Sequence, residues 1–208
     1  MLLGVYNYTV VLTYLGMLVG YTGITFAMNG NVRGAMVCLL LAGVCDMFDG
    51  RIASTKGDRT AREKRFGIQI DSLSDLLCFG ALPAVIVCSV SGGGILTAVL
   101  AGLYLLCALI RLAWFNVDEE ERQNRTTGDR LAYYGLPVTA AALIVPAVMR
   151  VGPIIGLPVD NLAPAVLLVM GMAFLIPFRL KKPTRKGKTG MLACGSGLLL
   201  VLLIGGSL

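Results

Sequence analysis

Seven apolar stretches recur along the chain, separated by short polar segments. They cover Tyr8–Met28, Val32–Ala53, Ile68–Val90, Ile95–Phe115, Leu136–Val151, Leu162–Phe178 and Met191–Ile204. Several reach the roughly 20 residues that a helix needs to cross a bilayer. Their apolar positions are continuous rather than alternating, which is typical of membrane helices and not of barrel strands. The pattern therefore predicts an all-α integral membrane protein, a polytopic bundle of about seven transmembrane helices (range six to eight).

Composition supports this prediction. Of the 208 residues, 56% are hydrophobic and only 14% are charged, and the mean hydropathy is +0.79. Soluble domains carry roughly 25% charged residues. We expect one transmembrane domain over residues 1–208, with a catalytic core at about 1–180 and an extra C-terminal helix at about 190–206. The first apolar stretch has no basic residue before it and is longer than a signal-peptide core, so we expect it to be retained.

The basic residues indicate an orientation in the membrane. The segments after the second, fourth and sixth stretches hold 15 of the 18 Lys and Arg residues, whereas Arg33 and Arg150 lie in the opposite connections. Short loops rich in Lys and Arg stay in the cytoplasm. We therefore expect a multi-pass protein of the cell (cytoplasmic) membrane with its N-terminus in the cytoplasm. The net charge of +6 borders lipid, which favours contact with membrane lipid and not with nucleic acid.

Two features restrict the chemistry. The chain has no histidine, which excludes a histidine general base, a Ser-His-Asp triad and imidazole metal ligands. The six cysteines lie in apolar stretches without CxxC spacing, so we interpret them as packing residues. Oxygen ligands remain as the candidates for any metal site.

Four carboxylates stand out at the edges of the second and third stretches. Asp46 and Asp49 are three residues apart, and Asp71 and Asp75 are four apart, so at ~100° per residue each pair shares one helix face. The second helix runs toward the cytoplasm and the third away from it, which lets the two pairs converge at one shallow depth. Clustered carboxylates repel one another unless cations neutralise them. All-oxygen ligation suits Mg²⁺, Mn²⁺ or Ca²⁺.

These residues resemble a known family. The patterns Asp46-x-x-Asp49-Gly50-x-x-Ala53 and Gly67-x-x-x-Asp71-x-x-x-Asp75 are similar to those of the CDP-alcohol phosphotransferases, integral membrane enzymes. "DGRIA", "FGIQIDSLSDLLCFGALPA", "RLAWFNV" and "YYGLPVTAAA" resemble the CDP-diacylglycerol–serine O-phosphatidyltransferase (phosphatidylserine synthase) branch. The resemblance extends from about residue 46 to residue 142.

The resemblance implies an activity and its residues. CDP-diacylglycerol and L-serine would give phosphatidylserine and CMP at an active site that faces the cytoplasm. Asp46, Asp49, Asp71 and Asp75 would hold two divalent cations, Mg²⁺ or Mn²⁺, with Ca²⁺ possible in a crystal, and Asp75 would also be the catalytic general base. The donor CDP-diacylglycerol would contact Gly50, Ala53, Ser54 and Gly67. A homodimer is also expected from the family.

The chain departs from the family pattern in the connector after the second helix. The family usually has arginine where this chain has Ser54, and about eight residues before the next glycine where this chain has twelve, Thr55–Phe66. Lys56, Arg59 or Arg62 are candidates to replace that arginine. Alternatively, the extra residues only lengthen the connector.

Two polar residues in or just after the fourth stretch are candidates for acceptor binding. Arg111 lies inside the fourth stretch, where a charged residue is costly in lipid, so it binds serine or a phosphate, pairs with an aspartate, or reaches the interface. Asn116 is either a second acceptor residue or the cap that ends the fourth helix. The acidic residues Asp118–Glu121 are interpreted as a solvated loop, and Gly135-Leu136-Pro137 as the start of the fifth helix.

Two other functions remain open. A sibling transferase would use glycerol 3-phosphate or an inositol phosphate, acceptors whose extra negative charge favours a denser basic pocket than Arg111 alone. A divalent-cation transporter would need polar residues through the whole depth of the membrane, whereas the four carboxylates collect near one side.

Overall fold

The chain folds into helices joined by short connections. A computed structural model describes residues 3–125, 132–181 and 185–204. Seven helices lie within these ranges, and the prediction of an all-α bundle is confirmed. They are α1 (Tyr8–Met28), α2 (Val32–Ala53), α3 (Ala61–Val90), α4 (Ile95–Arg125), α5 (Ala141–Ile154), α6 (Val159–Leu175) and α7 (Arg185–Ile204).

Among the described residues, three helices are long and apolar enough to cross a membrane, namely α1, α3 and α4, and α5, α6 and α7 are shorter apolar helices. Helix α2 has 22 residues but carries Asp46, Asp49 and Arg51 in its last third. Large apolar side chains are exposed on the outer surface, including Leu96 and Leu103 of α4. Apolar side chains that face outward are what a lipid environment requires, and the chain is a membrane protein.

Helix α1 packs closely against α2 and α3 because glycines line the face between them. A Cβ on Gly20 would lie 2.5 Å from the Sγ atom of Cys78, and a Cβ on Gly23 would lie 2.8 Å from the Cβ of Cys38. Both cysteines are buried and free. Small residues let membrane helices approach one another, and here they bring α1 against the carboxylate-bearing parts of α2 and α3.

Several helix ends differ from the predictions. Helix α3 starts at Ala61, ahead of its apolar stretch, because Thr60 and Glu63 form a capping box. Helix α4 continues to Arg125, so the prediction of a loop at Asp118–Glu121 and the interpretation of Asn116 as a cap are wrong. Apolar patterns mark the part of a helix in lipid, and polar residues can extend the helix into water.

The start of α5 was also predicted wrongly. Residues 132–134 form a short strand, β1, which pairs antiparallel with β2 at residues 179–181, and a 3₁₀ turn at Val138–Ala140 precedes the α-helix. Gly135 has φ +73°, and a Cβ there would lie 2.9 Å from the Phe174 carbonyl oxygen. The ribbon and this glycine hold the α4–α5 and α6–α7 connections together. Two of the basic residues in the segments after the fourth and sixth apolar stretches, Arg130 and Lys182, lie outside the described residues.

Helix α3 contains an irregular turn directly after the acidic pair. Residues Leu76–Ala81 are π-helical, a feature frequent near functional sites. The hydroxyl of Tyr104 donates a hydrogen bond of 2.6 Å to the Phe79 carbonyl oxygen, and the Tyr104 ring packs on Phe174 with 5.4 Å between centroids. The π turn is therefore anchored to α4 and α6, which fixes the part of α3 that carries Asp71 and Asp75.

Candidate active site

Three of the four carboxylates meet at one point between α2 and α3. Asp46, Asp49 and Asp71 each place one oxygen within 4.8 Å of the others. Asp49 is 8% exposed, and the other two are partly exposed. The three-residue spacing on α2 and the antiparallel course of α3 produce this convergence.

Asp75 joins the same cluster one turn deeper in the bundle. The carboxyl groups of Asp75 and Asp46 lie within hydrogen-bonding reach of each other. The same holds for the carboxyl groups of Asp71 and Asp49. Asp46, Asp49 and Asp75 also line one small void of about 10 Å³. The structure thus brings all four aspartates together.

No described Lys or Arg nitrogen lies within 4.0 Å of these carboxylates. The hydroxyl of Thr13 on α1 donates a hydrogen bond of 3.3 Å to Oδ2 of Asp49, which is a weak neutral contact. Like charges this close repel strongly in a partly buried site, and the donor set is entirely oxygen. The residues therefore fit a hard divalent cation, and the cluster can bind a metal ion.

A polar cavity of about 470 Å³ opens beside Asp49 and Asp71. All four residues predicted to contact the donor border it, together with residues of α1, basic residues and Gly57. Its lining residues are Thr9, Val10, Thr13, Asp49, Gly50, Ala53, Ser54, Lys56, Gly57, Arg59, Lys64, Gly67, Ile68 and Asp71. Thr9, Thr13 and Lys64 were missed in the sequence, because no motif marks the α1 threonines and Lys64 is one of six basic residues in its segment.

An apolar groove of about 630 Å³ lies on the other side of α2, between α2, α5 and α7. Gly50 and Ser54 border both the groove and the polar cavity, and Asp46 borders the groove. Helix α2 is thus the wall between a charged compartment and an apolar one, with the carboxylates at their junction.

The two acceptor candidates lie in different places. Asn116 accepts a hydrogen bond of 2.8 Å from the hydroxyl of Ser72, the residue after Asp71. Arg111 is buried, lies 5.4 Å from the centroid of the Phe115 ring, and lines a third cavity of about 520 Å³. That cavity shares no lining residue with the polar cavity or the apolar groove. Asn116 therefore contacts the residue next to Asp71, whereas Arg111 lines a separate cavity.

Comparison with known proteins agrees with this geometry. The chain is 33% identical over 127 residues to the archaetidylserine synthase of Methanothermobacter thermautotrophicus, covering 61% of this chain and 50% of that protein. It is 31% identical over 144 residues to a CDP-diacylglycerol–serine O-phosphatidyltransferase of Saccharomyces cerevisiae, covering 64% and 51%. A Helicobacter pylori protein of the same name is 32% identical over 114 residues, covering 53% and 44%.

The chain spans about half the length of the curated relatives it matches. No solved structure matches it. The family model described as CDP-alcohol phosphatidyltransferase matches residues 6–201, a range that includes the four aspartates and both compartments beside α2. The chain belongs to the CDP-alcohol phosphatidyltransferase family.

Proposed function

We propose that this protein transfers the phosphatidyl group of CDP-diacylglycerol to the hydroxyl of L-serine, giving phosphatidylserine and CMP. The observation that carries the proposal is the oxygen-only cluster of Asp46, Asp49 and Asp71 at the junction of a polar cavity and an apolar groove. The names of the relatives support serine as the acceptor, since the archaeal, yeast and bacterial proteins are all named for serine.

The two compartments match the two halves of a nucleotide-linked lipid. The cytidine and diphosphate would lie in the polar cavity against Gly50, Ala53, Ser54 and Gly67, and the acyl chains in the apolar groove. Gly50 suits the crossing point because a Cβ there would have no atom within 4 Å, which leaves the surface of α2 open. A lipid headgroup donor lies at the membrane interface, and the carboxylates lie near the end of α2 and near the start of the apolar part of α3.

The four aspartates have distinct proposed roles. Asp46, Asp49 and Asp71, with Asp75 on one side, would hold two divalent cations, Mg²⁺ or Mn²⁺. These cations would neutralise the donor diphosphate and stabilise the leaving CMP. Asp75 accepts the proton of the serine hydroxyl while the serine oxygen bonds to the lipid-side phosphorus and the bond from that phosphorus to the CMP oxygen breaks.

Asn116 is the better placed of the two acceptor candidates. Its hydrogen bond with Ser72 joins it to the residue that follows Asp71, and we propose that it helps to orient serine. We propose that Arg111 stabilises the wall between α4 and α6, where its guanidinium packs on Phe115.

The proposed orientation places the acidic cluster on the cytoplasmic side of the cytoplasmic membrane. Asn7, just before α1, donates a hydrogen bond of 2.8 Å to the Glu63 carboxylate in the first turn of α3, so the N-terminal end lies with the basic connector. At the other end of α2, Arg33 donates to the carbonyl oxygen of Leu203 in α7. The two ends of α2 therefore lie on opposite sides of the membrane, with the segment richer in basic residues on the proposed cytoplasmic side. A homodimer is proposed from the family resemblance alone.

An acceptor-swap assay tests the function. Purified protein given CDP-diacylglycerol, labelled serine and Mn²⁺ or Mg²⁺ is expected to release CMP and form labelled phosphatidylserine, and a chelator is expected to stop the reaction. CMP release with glycerol 3-phosphate or an inositol phosphate but not with serine would reassign the acceptor. Cation flux into vesicles without any CMP release would favour a transporter.

A substitution in α7 tests the apolar groove. Gly195 lines the groove, and a Cβ there meets only Leu143 at 3.5 Å, so Gly195→Leu fits the fold but fills the groove. We expect the KM for a long-chain CDP-diacylglycerol to rise at least about fivefold, because overpacking an occupied apolar site costs roughly 1–3 kcal/mol. The KM for a dioctanoyl donor should change less.

The matched control is Gly197→Leu on the same helix. Gly197 is exposed, has no atom within 4 Å of a Cβ and does not line the groove. Both variants replace glycine by a strong helix former, so effects on helix stability cancel in the comparison. Equal KM values in the two variants would place the acyl chains elsewhere.

A further inference from the structure

The connector between α2 and α3 folds back over the polar cavity. Its residues Lys56 and Arg59, and Lys64 in the first turns of α3, line the same cavity as Asp49 and Asp71. The cavity therefore holds both acidic and basic side chains, and a ligand that suits both is an anion bound together with cations.

The Glu63 carboxylate fixes this fold of the connector. It accepts hydrogen bonds of 2.8 Å from Lys56, from Asn7 and from the backbone N–H of Thr60, which joins the N-terminal segment, the connector and α3. The contact with Glu63 raises the pKa of Lys56, so that Lys56 stays charged but is already paired. Lys56 is therefore a poor candidate for the main anion contact.

Arg59, unlike Lys56, donates hydrogen bonds only to backbone carbonyl oxygens and not to a carboxylate, within the part of the chain that the structure describes. Its Nη1 donates to the Ala53 carbonyl oxygen at 3.5 Å and its Nη2 to the Glu63 carbonyl oxygen at 3.3 Å, and both bonds are long. Its Nε atom is buried without a hydrogen-bond partner among the described residues, and no described carboxylate lies within 4.0 Å of its guanidinium. Arg59 thus keeps an unneutralised charge and spare donors at the cavity.

Gly67 makes room for this guanidinium. A Cβ at position 67 would lie 2.6 Å from Nη2 of Arg59, so any larger residue would push the guanidinium out of its place over Gly67, one helical turn before Asp71. Arg62, by contrast, is exposed and does not line the cavity. Ser54 offers no charge, and its hydroxyl donates to the Arg51 carbonyl oxygen at 2.7 Å.

We infer that Arg59 is a donor-binding residue whose guanidinium binds the phosphates of the nucleotide in the cavity that Asp49 and Asp71 also line. A guanidinium suits this role because its fixed fork of N–H donors matches phosphate oxygens and remains charged. The inference rests on the proposed function for the identity of the donor. A competing role is purely structural, since Arg59 also caps the last carbonyl of α2.

Binding of CDP, a water-soluble probe, to the full-length protein with Mg²⁺ separates these roles. Arg59→Gln is expected to weaken CDP binding about tenfold or more and to raise the KM for CDP-diacylglycerol by a similar factor, while the KM for serine stays within about twofold. Arg59→Lys should lie between, because it keeps the charge but loses the fork. The matched control, Arg62→Gln, removes the same charge from the same segment and should bind CDP within about twofold of the wild type.

Two results would overturn the inference. One is normal CDP binding by Arg59→Gln, which would leave only the capping role. The other is an equal loss in Arg62→Gln, which would indicate general attraction by a basic surface. If Arg59→Gln does not fold, the CDP affinity of Arg59→Lys provides the test. Unchanged CDP binding in Arg59→Lys would reject the contact between the Arg59 guanidinium and the phosphates.

The outcomes also separate this inference from the proposed function. If the wild type makes no phosphatidylserine but Arg59→Gln loses CDP affinity, the acceptor assignment fails and Arg59 remains a nucleotide contact. If the wild type makes phosphatidylserine and Arg59→Gln binds CDP normally, only the role of Arg59 fails.

Discussion

Replacing Asp75 by asparagine is expected to lower kcat by about 10²- to 10⁴-fold, the usual contribution of a positioned general base. Asparagine keeps the shape of the side chain but cannot accept the serine proton. Asp75 lies outside the group of three whose oxygens meet within 4.8 Å, so CDP binding in the presence of Mg²⁺ should remain within about threefold of the wild type. Single-turnover release of CMP measures the first effect and equilibrium binding of CDP the second.

The control for Asp75→Asn is Asp160→Asn. Asp160 is exposed in the first turn of α6, lines none of the cavities described above, and should give wild-type rates. A rate for Asp75→Asn within about twofold of the wild type would reject its role as the base. Loss of CDP binding together with turnover would instead make metal binding, and not proton transfer, the main role of Asp75.

Much of the architecture was predictable because lipid imposes a strong pattern. The bounds of α1 and α2 follow the apolar stretches to the residue, and short connections force neighbouring helices to run antiparallel. Because the second and third helices run antiparallel, the spacing within each acidic pair was enough to predict that the two pairs meet. The pairs are Asp46 with Asp49 and Asp71 with Asp75. Periodicity and topology alone therefore locate the acidic cluster.

The parts that the sequence did not reveal depend on tertiary contacts. The extension of α4 through Asn116 and the pairing of β1 with β2 leave no apolar pattern. Which face of α4 turns toward α3 is decided by packing around Tyr104, and this face carries Asn116 to Ser72 and turns Arg111 toward another cavity. The choice of Arg59 over Arg62 in the connector likewise depends on how the chain folds over Gly67.

Asp49→Asn is expected to abolish metal-dependent turnover while making the metal-free protein more stable. Asp49 is buried, and no described basic side chain neutralises it. Removing one of several mutually repelling charges relieves Coulomb repulsion, so the unfolding temperature in a chelator should rise above that of the wild type. At this chain length, each 1 kcal/mol of stability corresponds to roughly 2–4 °C.

Addition of Mg²⁺ or Mn²⁺ should make the wild type more stable than Asp49→Asn, the reverse of the order expected in a chelator. A ligand that binds only the folded state at 100 times its Kd adds about 2.7 kcal/mol of stability, so the wild type should gain several degrees and Asp49→Asn far less. Thermal unfolding of both proteins, with and without metal, shows whether the order of their unfolding temperatures reverses. Asp160→Asn should follow the wild type in both conditions. If Asp49→Asn were less stable than the wild type in chelator and gained as much from metal, Asp49 would be a structural residue. This reversal of the order of unfolding temperatures is expected only if the carboxylates repel one another until a cation binds between them. A carboxylate that is merely well packed would not produce it.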